Sequence, residues 1–218
     1  MVRENDIFSR HEPAVLAALR KATVGIAGAG GLGSNAAIAL ARAGVGRLII
    51  ADFDKIEPSN LNRQQYTAHQ VGLRKVKALS ANLEQMTPFT QVVIHDVKVT
   101  PKNLEKIFGE ADLLIEAFDK AGEKSMLING WLGLRPDRPV IAASGLAGYG
   151  GNARLKTRKM GNLYICGDGA SECAPGVSPM APRVALVAAM QANLAVELLM
   201  KIKRRKNVQI QRVFRRQS

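Results

Sequence analysis

Apolar residues fall along this chain in short runs separated by amphipathic stretches. Thr23 to Ala27 (TVGIA), Arg47 to Ala51 (RLIIA), Val92 to His95, Leu113 to Ala117 (LLIEA) and Val140 to Ala143 (VIAA) are compact apolar segments of strand length. Runs that are near-continuously apolar indicate strands buried on both faces. Between them the pattern turns helical: residues 11–20, with Pro13 suited to a first turn, Ser34 to Ala43 (SNAAIALARA), Lys75 to Gln85, Lys102 to Phe108 and a helix around Glu123 to Gly130. Gly44 and Gly46 end the second of these before the next strand. Strands alternating with helices predict an α/β fold, a doubly wound and mostly parallel sheet with helices on both faces. Residues 144–179 break the pattern. They are rich in glycine and carry Arg154, Lys156, Arg158 and Lys159, so they form either a mobile functional loop or a small strand excursion. From Met180 to Ile202 a long, mostly apolar helix is expected, with Pro182 in its first turn.

Composition narrows this picture modestly. The chain has 218 residues, of which 47% are hydrophobic and only 5% aromatic, enough for one aliphatic, alanine-rich core. No repeat or linker marks a second domain, so residues 1–205 are expected to form one domain and 206–218 a basic C-terminal tail. The net charge of +13 suits a polyanionic partner: nucleic acid, an acidic membrane, a nucleotide or an acidic protein. Part of the excess lies in the tail region, where Lys201, Lys203, Arg204, Arg205, Lys206, Arg212, Arg215 and Arg216 occur with no acidic residue between them. No run reads as long enough to span a bilayer, and the polar start does not resemble a signal peptide; a cytoplasmic protein is expected. Cys166 and Cys173 fit neither a CxxC nor a zinc-finger spacing, and His11, His69 and His95 are scattered.

Chemistry enters at Gly28-Ala29-Gly30-Gly31-Leu32-Gly33, placed directly after a strand and before a helix. Glycines there let backbone N–H groups and a helix N-terminus approach a phosphate. Asp52 ends the next strand, about 20 residues on, where a carboxylate binds ribose hydroxyls. This is a Rossmann-like nucleotide site, and the fingerprint alone favours NAD(P), and so an oxidoreductase, over ATP without deciding the reaction.

The next block separates the two. Asp52-Phe53-Asp54-Lys55-Ile56-Glu57-Pro58-Ser59-Asn60-Leu61-Asn62-Arg63-Gln64, together with Gly28 to Ser34, resembles the ThiF/MoeB family, bacterial relatives of ubiquitin-activating enzymes that carry GxGGLGS followed by DxDxxxxSNLxRQ. Three smaller matches accompany it: Gly72 to Lys75 as the family's GxxK, Asp119 after a strand, and Phe8-Ser9-Arg10 near the N-terminal YxRQ segment, with His11 in place of glutamine. The resemblance covers about residues 7 to 200. Cys166-Gly167-Asp168 and Ala181 to Val184 bring the chain nearest to the short ThiF-like proteins.

The resemblance implies an adenylyltransferase that uses ATP and Mg²⁺ to activate the C-terminal glycine of a small ubiquitin-fold sulfur carrier ending in Gly-Gly, in thiamine thiazole formation or another sulfur pathway. It implies Gly28, Gly30, Gly31, Gly33, Asp52, Asp54, Asn60, Arg63 and Lys75 at the nucleotide, Arg63, Lys75, Asp119 and Arg10 in catalysis, and Asp119 as the Mg²⁺ ligand. Arg10 would act from the partner subunit of a homodimer. The family's paired CxxC motifs are missing, so no zinc is expected. The glycine-rich segment would cover the carrier's tail, with its bases facing an acidic carrier surface; a protein is expected as partner rather than nucleic acid. Relatives that adenylate a carboxylate on a modified tRNA base supply the other reading. A non-catalytic nucleotide-binding scaffold is a third.

Overall fold

A computed structural model describes residues 3–214. Two short N-terminal helices, α1 (Glu4–Ile7) and α2 (Pro13–Arg20), precede the strands β1 (Thr23–Ala27), β2 (Arg47–Ala51), β3 (Gln91–His95), β4 (Leu113–Glu116) and β5 (Val140–Ala143). Helices α3 (Gly31–Ala43), α4 (Lys75–Met86), α5 (Leu104–Phe108) and α6 (Ala121–Leu134) connect them. The glycine-rich segment then forms β6 (Lys156–Met160) and β7 (Leu163–Gly167), and α7 (Ala181–Phe214) closes the chain. All seven strands form one sheet in the order β3-β2-β1-β4-β5-β7-β6. Every pairing is parallel except that of β6 with β7. The expected doubly wound α/β architecture is thus present, and of the two outcomes offered for residues 144–179 the strand excursion is the one found.

The strands divide their side chains between two cores, as period-two geometry requires. Val24, Ile26, Leu48, Ile50, Leu113, Ile115 and Ile141 face a cluster shared with α3, α4 and α7. Ala27, Ile49, Ala51, Leu114 and Val140 face a second cluster with Leu104, Phe108, Leu127 and Trp131 from α5 and α6. Continuous apolar runs are what a strand covered on both faces needs.

The last helix corrects two expectations. It continues to Phe214, beyond Ile202, because residues 203–214 hold no proline or glycine to stop it. Its part Ala181–Ile202 has a mean hydropathy of 1.5 and is long and apolar enough to cross a membrane by length and composition, contrary to the expectation of no such run. In the fold, however, Val184, Val187, Ala188, Ala195 and Leu199 of this helix pack into the first core.

Candidate functional site

β1 is flanked by β2 on one side and β4 on the other, so the chain crosses over in opposite directions from it. The carboxyl ends of strands at such a switch point diverge and leave a crevice. A cavity of about 280 Å³ lies there. Of the residues singled out in the sequence, Gly28, Gly30, Gly31, Asp52, Asp54, Arg63, Lys75 and Asp119 line it; Gly33, Asn60 and Arg10 do not.

The glycine loop is held from several directions. Gly28 adopts φ +102°, and a Cβ there would stand 2.7 Å from the Ala117 carbonyl oxygen. Its N–H donates to Ala51 O at 2.8 Å. The Ala29 peptide is pinned on both sides: its N–H donates to Asp52 Oδ2 at 2.7 Å, and its carbonyl accepts the buried Tyr66 hydroxyl at 2.6 Å. Asp52 Oδ1 also accepts the Asp54 N–H at 2.7 Å. Gly33 acts from behind the loop, where helix α3 packs so closely that a Cβ would lie 1.8 Å from Gly28 O.

Burial raises the Asp52 pKa above its ordinary value, against two N–H donors and the Lys75 charge that lower it. Only the ionised carboxylate accepts hydrogen bonds from both ribose hydroxyls. A raised acid pKa means that the folded protein takes up the proton at a higher pH than a free aspartate does, so a ligand that needs the ionised Asp52 carboxylate would be lost as pH falls through that raised value. Nucleotide affinity measured from neutral pH downward should therefore fall sooner for the parent than for Asp52→Asn, whose affinity should be lower at neutral pH but flatter.

Cations occupy the β2 side of the loop. Lys75 opens helix α4, is 7% exposed, and donates Nζ–H to Asp54 Oδ2 at 2.8 Å. The Asp54 carbonyl also accepts the Lys75 N–H at 3.0 Å, so Asp54 orients Lys75 through backbone and side chain together. Arg63 sits in the turn after the 3₁₀ segment Pro58–Asn60 and donates to Ser59 O at 3.1 Å and Asn62 Oδ1 at 2.8 Å. Asn60 shapes this turn: its Oδ1 accepts the Glu57 N–H, and its carbonyl accepts the N–H groups of Arg63 and Gln64. Asn60 thereby presents Arg63 rather than facing the cavity itself.

On the β4 side, Glu116 ends its strand with its side chain fully buried. Its carboxylate accepts Lys124 Nζ at 2.9 and 3.1 Å and the Phe118 N–H at 2.7 Å. Burial pushes the Glu116 pKa up, and Lys124 opposes that shift. This hydrogen-bonded turn sets the stretch from Ala117 to Lys120. Asp119 is exposed on it, has no hydrogen bond or ion pair among the described residues, and does not cap α6, whose N-cap is Lys120. Mg²⁺ carried by a nucleotide needs only one or two carboxylates, with phosphate and water completing its shell. Among the described residues no cluster of three His, Cys, Asp or Glu could hold a metal by itself, and Asp119 fits the lesser demand.

Arg10 is exposed just after α1, away from the cavity of its own chain. Phe8 beside it is buried under the Arg20 guanidinium, 4.5 Å from the ring centroid, which anchors the segment. Cys173 is exposed and lines the cavity mouth; Cys166 is buried, and burial raises its pKa. Phe53 and Gln64, which the motif block contains without a role assigned to them, also line the cavity, as do Lys98, Lys120 and Lys124, which were not singled out from the sequence. Of these side chains only Lys124 had a visible partner signal, the charged Glu116 inside an apolar strand.

Comparison with known proteins bears on the same region. The ThiF family model matches residues 3–216. The adenylyltransferase and sulfurtransferase MOCS3 of Anopheles gambiae is 34% identical over 149 residues, which is 68% of this chain and 33% of that protein. The tRNA threonylcarbamoyladenosine dehydratase of Bacillus subtilis is 36% identical over 146 residues, 64% of this chain and 57% of the relative. The chain thus spans between a third and a little over half the length of these relatives. Among solved structures, the E. coli tRNA threonylcarbamoyladenosine dehydratase in complex with ATP superposes with a TM-score of 0.83 at 21% identity, covering 94% of this chain and 99% of that one. That likeness establishes the fold, and with the family match over nearly the whole length, the chain belongs to the ThiF family.

Proposed function

We propose that this protein binds ATP in the crevice beside β1 and transfers its adenylyl group to a carboxylate, forming an acyl adenylate and pyrophosphate. The observation that carries the reading is the joint placement of Asp52, Lys75 and Arg63 around a pinned glycine loop. A carboxylate for ribose, backbone donors for phosphate and two fixed cations are what a nucleoside triphosphate requires.

The reaction needs no general base. The acceptor carboxylate is ionised at neutral pH, and one of its oxygens attacks the α-phosphorus. The bond from that phosphorus to the α,β-bridging oxygen breaks, and pyrophosphate leaves with the electron pair. The obstacle is an anion meeting a polyanion, so positioned cations and N–H donors lower the barrier. Arg63 and Lys75 neutralise the phosphates, and the amides of Gly30 and Gly31 face the same anion. Asp119 would hold Mg²⁺, which supplies further positive charge to the leaving group. Arg10 of a second copy would add another cation in a homodimer.

The acceptor we favour is the C-terminal glycine of a ubiquitin-fold sulfur carrier, because apolar Leu146, Pro179 and Val184 line the cavity beside the glycine loop and a glycine tail passes such groups without side-chain clash. Incubating the protein with α-labelled ATP, Mg²⁺ and Gly-Gly-ended carriers should put label on the carrier in an acid-stable, hydroxylamine-labile form. Label appearing only as free ADP would sink the reading. A carboxylate on tRNA is the second reading, supported by the dehydratase relative and by the exposed basic strand Lys156–Met160. Label recovered on tRNA rather than on a carrier would select it.

A further inference from the structure

Outside the cavity lining lies a buried charge cluster that the adenylation scheme does not use. Asp168 follows β7 and Arg183 lies in the first turn of α7; their side chains are 4% and 2% exposed and form an ion pair. Asp168 Oδ1 accepts the N–H groups of Ala170 and Ser171, each at 2.8 Å, and Oδ2 accepts the Ser171 hydroxyl. Arg183 reaches in the other direction and donates to Gly150 O at 2.6 Å. One guanidinium therefore ties together two strands of chain, residues 145–151 and 170–180. These two plies touch again further out, where the Gly148 N–H donates to Ser178 O at 2.9 Å.

The two-ply flap supplies Leu146, Cys173 and Pro179 to the cavity, yet residues 172–178 are exposed and have little packing of their own. What fixes the flap is its root. Val184, the residue after Arg183, also lines the cavity and lies over the glycine loop; a Cβ on Gly31 would stand 2.9 Å from Val184 Cγ1. The clamp thus refers the flap to the glycine loop through a single turn of α7.

Strand order says which half of the reaction this serves. Asp52 and Asp54 follow β2, so a nucleoside held by them would lie on the β2–β3 side of the loop. The flap follows β5 and β7, on the opposite side, from which an acceptor must approach the α-phosphorus. We infer that Asp168 and Arg183 are positioning residues for the acyl acceptor: they hold the flap at the distance from the glycine loop that lets a carboxylate-bearing tail pass, and have little part in holding ATP. This rests on the adenylation reading above.

Changing one partner alone would strand a buried charge and could unfold the chain. The test therefore uses the neutral pair Asp168→Asn/Arg183→Gln, with thermal unfolding to show that it folds. Exposed Glu172 reports on the flap, because cleavage beside it by a glutamate-specific protease needs the segment to open locally. We expect that cleavage to be about fivefold faster in the pair variant, and the KM for a Gly-Gly-ended carrier to rise about tenfold, while the Kd for ATP by equilibrium dialysis moves less than about threefold. A carrier KM that stays put, or that shifts by the same factor as the ATP Kd, would overturn the inference. If the parent activates no acceptor, the adenylation reading has failed, and proteolysis decides the clamp alone: equal cleavage rates at Glu172 in parent and variant would refute it.

Discussion

Replacing Lys75 by alanine is expected to lower the rate of carboxylate-dependent pyrophosphate release by about 10²- to 10³-fold, the usual effect of deleting one positioned donor at a developing charge. The fold should survive the change. Lys75 is buried, but its partner Asp54 is half exposed, so the carboxylate left behind is solvated rather than stranded. Catalysis should suffer twice, because Asp54 would then face the phosphates without its counter-ion. Lys75→Arg should recover only part of the rate, since a planar guanidinium on a longer stem cannot keep the 2.8 Å contact while reaching the same point. Initial rates with saturating ATP and acceptor, beside a urea unfolding curve, check both halves. A Lys75→Ala protein with parental rate would remove the central cation from the scheme.

Gly33→Ala is expected to be the most damaging small substitution in the crevice, although Gly33 does not line it. The new methyl would meet Gly28 O at 1.8 Å, and backbone cannot yield as a flexible side chain does. Either helix α3 moves off β1 or the glycine loop opens; a stability loss of about 3 kcal/mol follows from such overpacking. Because the loop is what shifts, ATP affinity should fall about tenfold or more in whatever fraction remains folded. Gly133→Ala is the control: nothing lies within 4 Å of its Cβ and it sits in the last turn of α6, so stability should hold or rise by about 0.5 kcal/mol. Urea midpoints and ATP titrations on both variants separate the close approach from a general effect of adding a methyl group. Equal behaviour of the two would contradict the packing argument.

Much of this was legible before the fold was known, for a physical reason. Strands β1, β2 and β5 occupy the residues their apolar runs indicate, because a sheet covered on both faces leaves few positions for polar side chains. Helix α3 begins at Gly31 rather than Ser34, since its first turn is built of glycines whose low helix propensity hides it, while the loop needs those N–H groups pointing outward. Strand β6 gave no alternation because all five of its residues are exposed at the sheet edge, so no side of it had to be apolar. In the site, Gly28, Asp52, Arg63 and Lys75 were recognisable because each belongs to a short local motif. Lys98 was not, because only the sheet order brings it to the site, and Lys124 had no signal beyond its buried partner Glu116. Asn60 shows a limit of another kind: its place in the motif was plain, but its side chain turns back to Glu57 and supports Arg63. The Asp168–Arg183 clamp joins two segments, Cys166 to Asp168 and Ala181 to Val184, that the sequence marks separately without showing that they touch.

The measurement closest to the central claim is ATP–pyrophosphate exchange with Mg²⁺, run with no acceptor, with a panel of Gly-Gly-ended carriers and with tRNA. The account predicts exchange that appears with an acceptor and disappears in Lys75→Ala. Folded protein that binds ATP yet exchanges no pyrophosphate with any acceptor would contradict it.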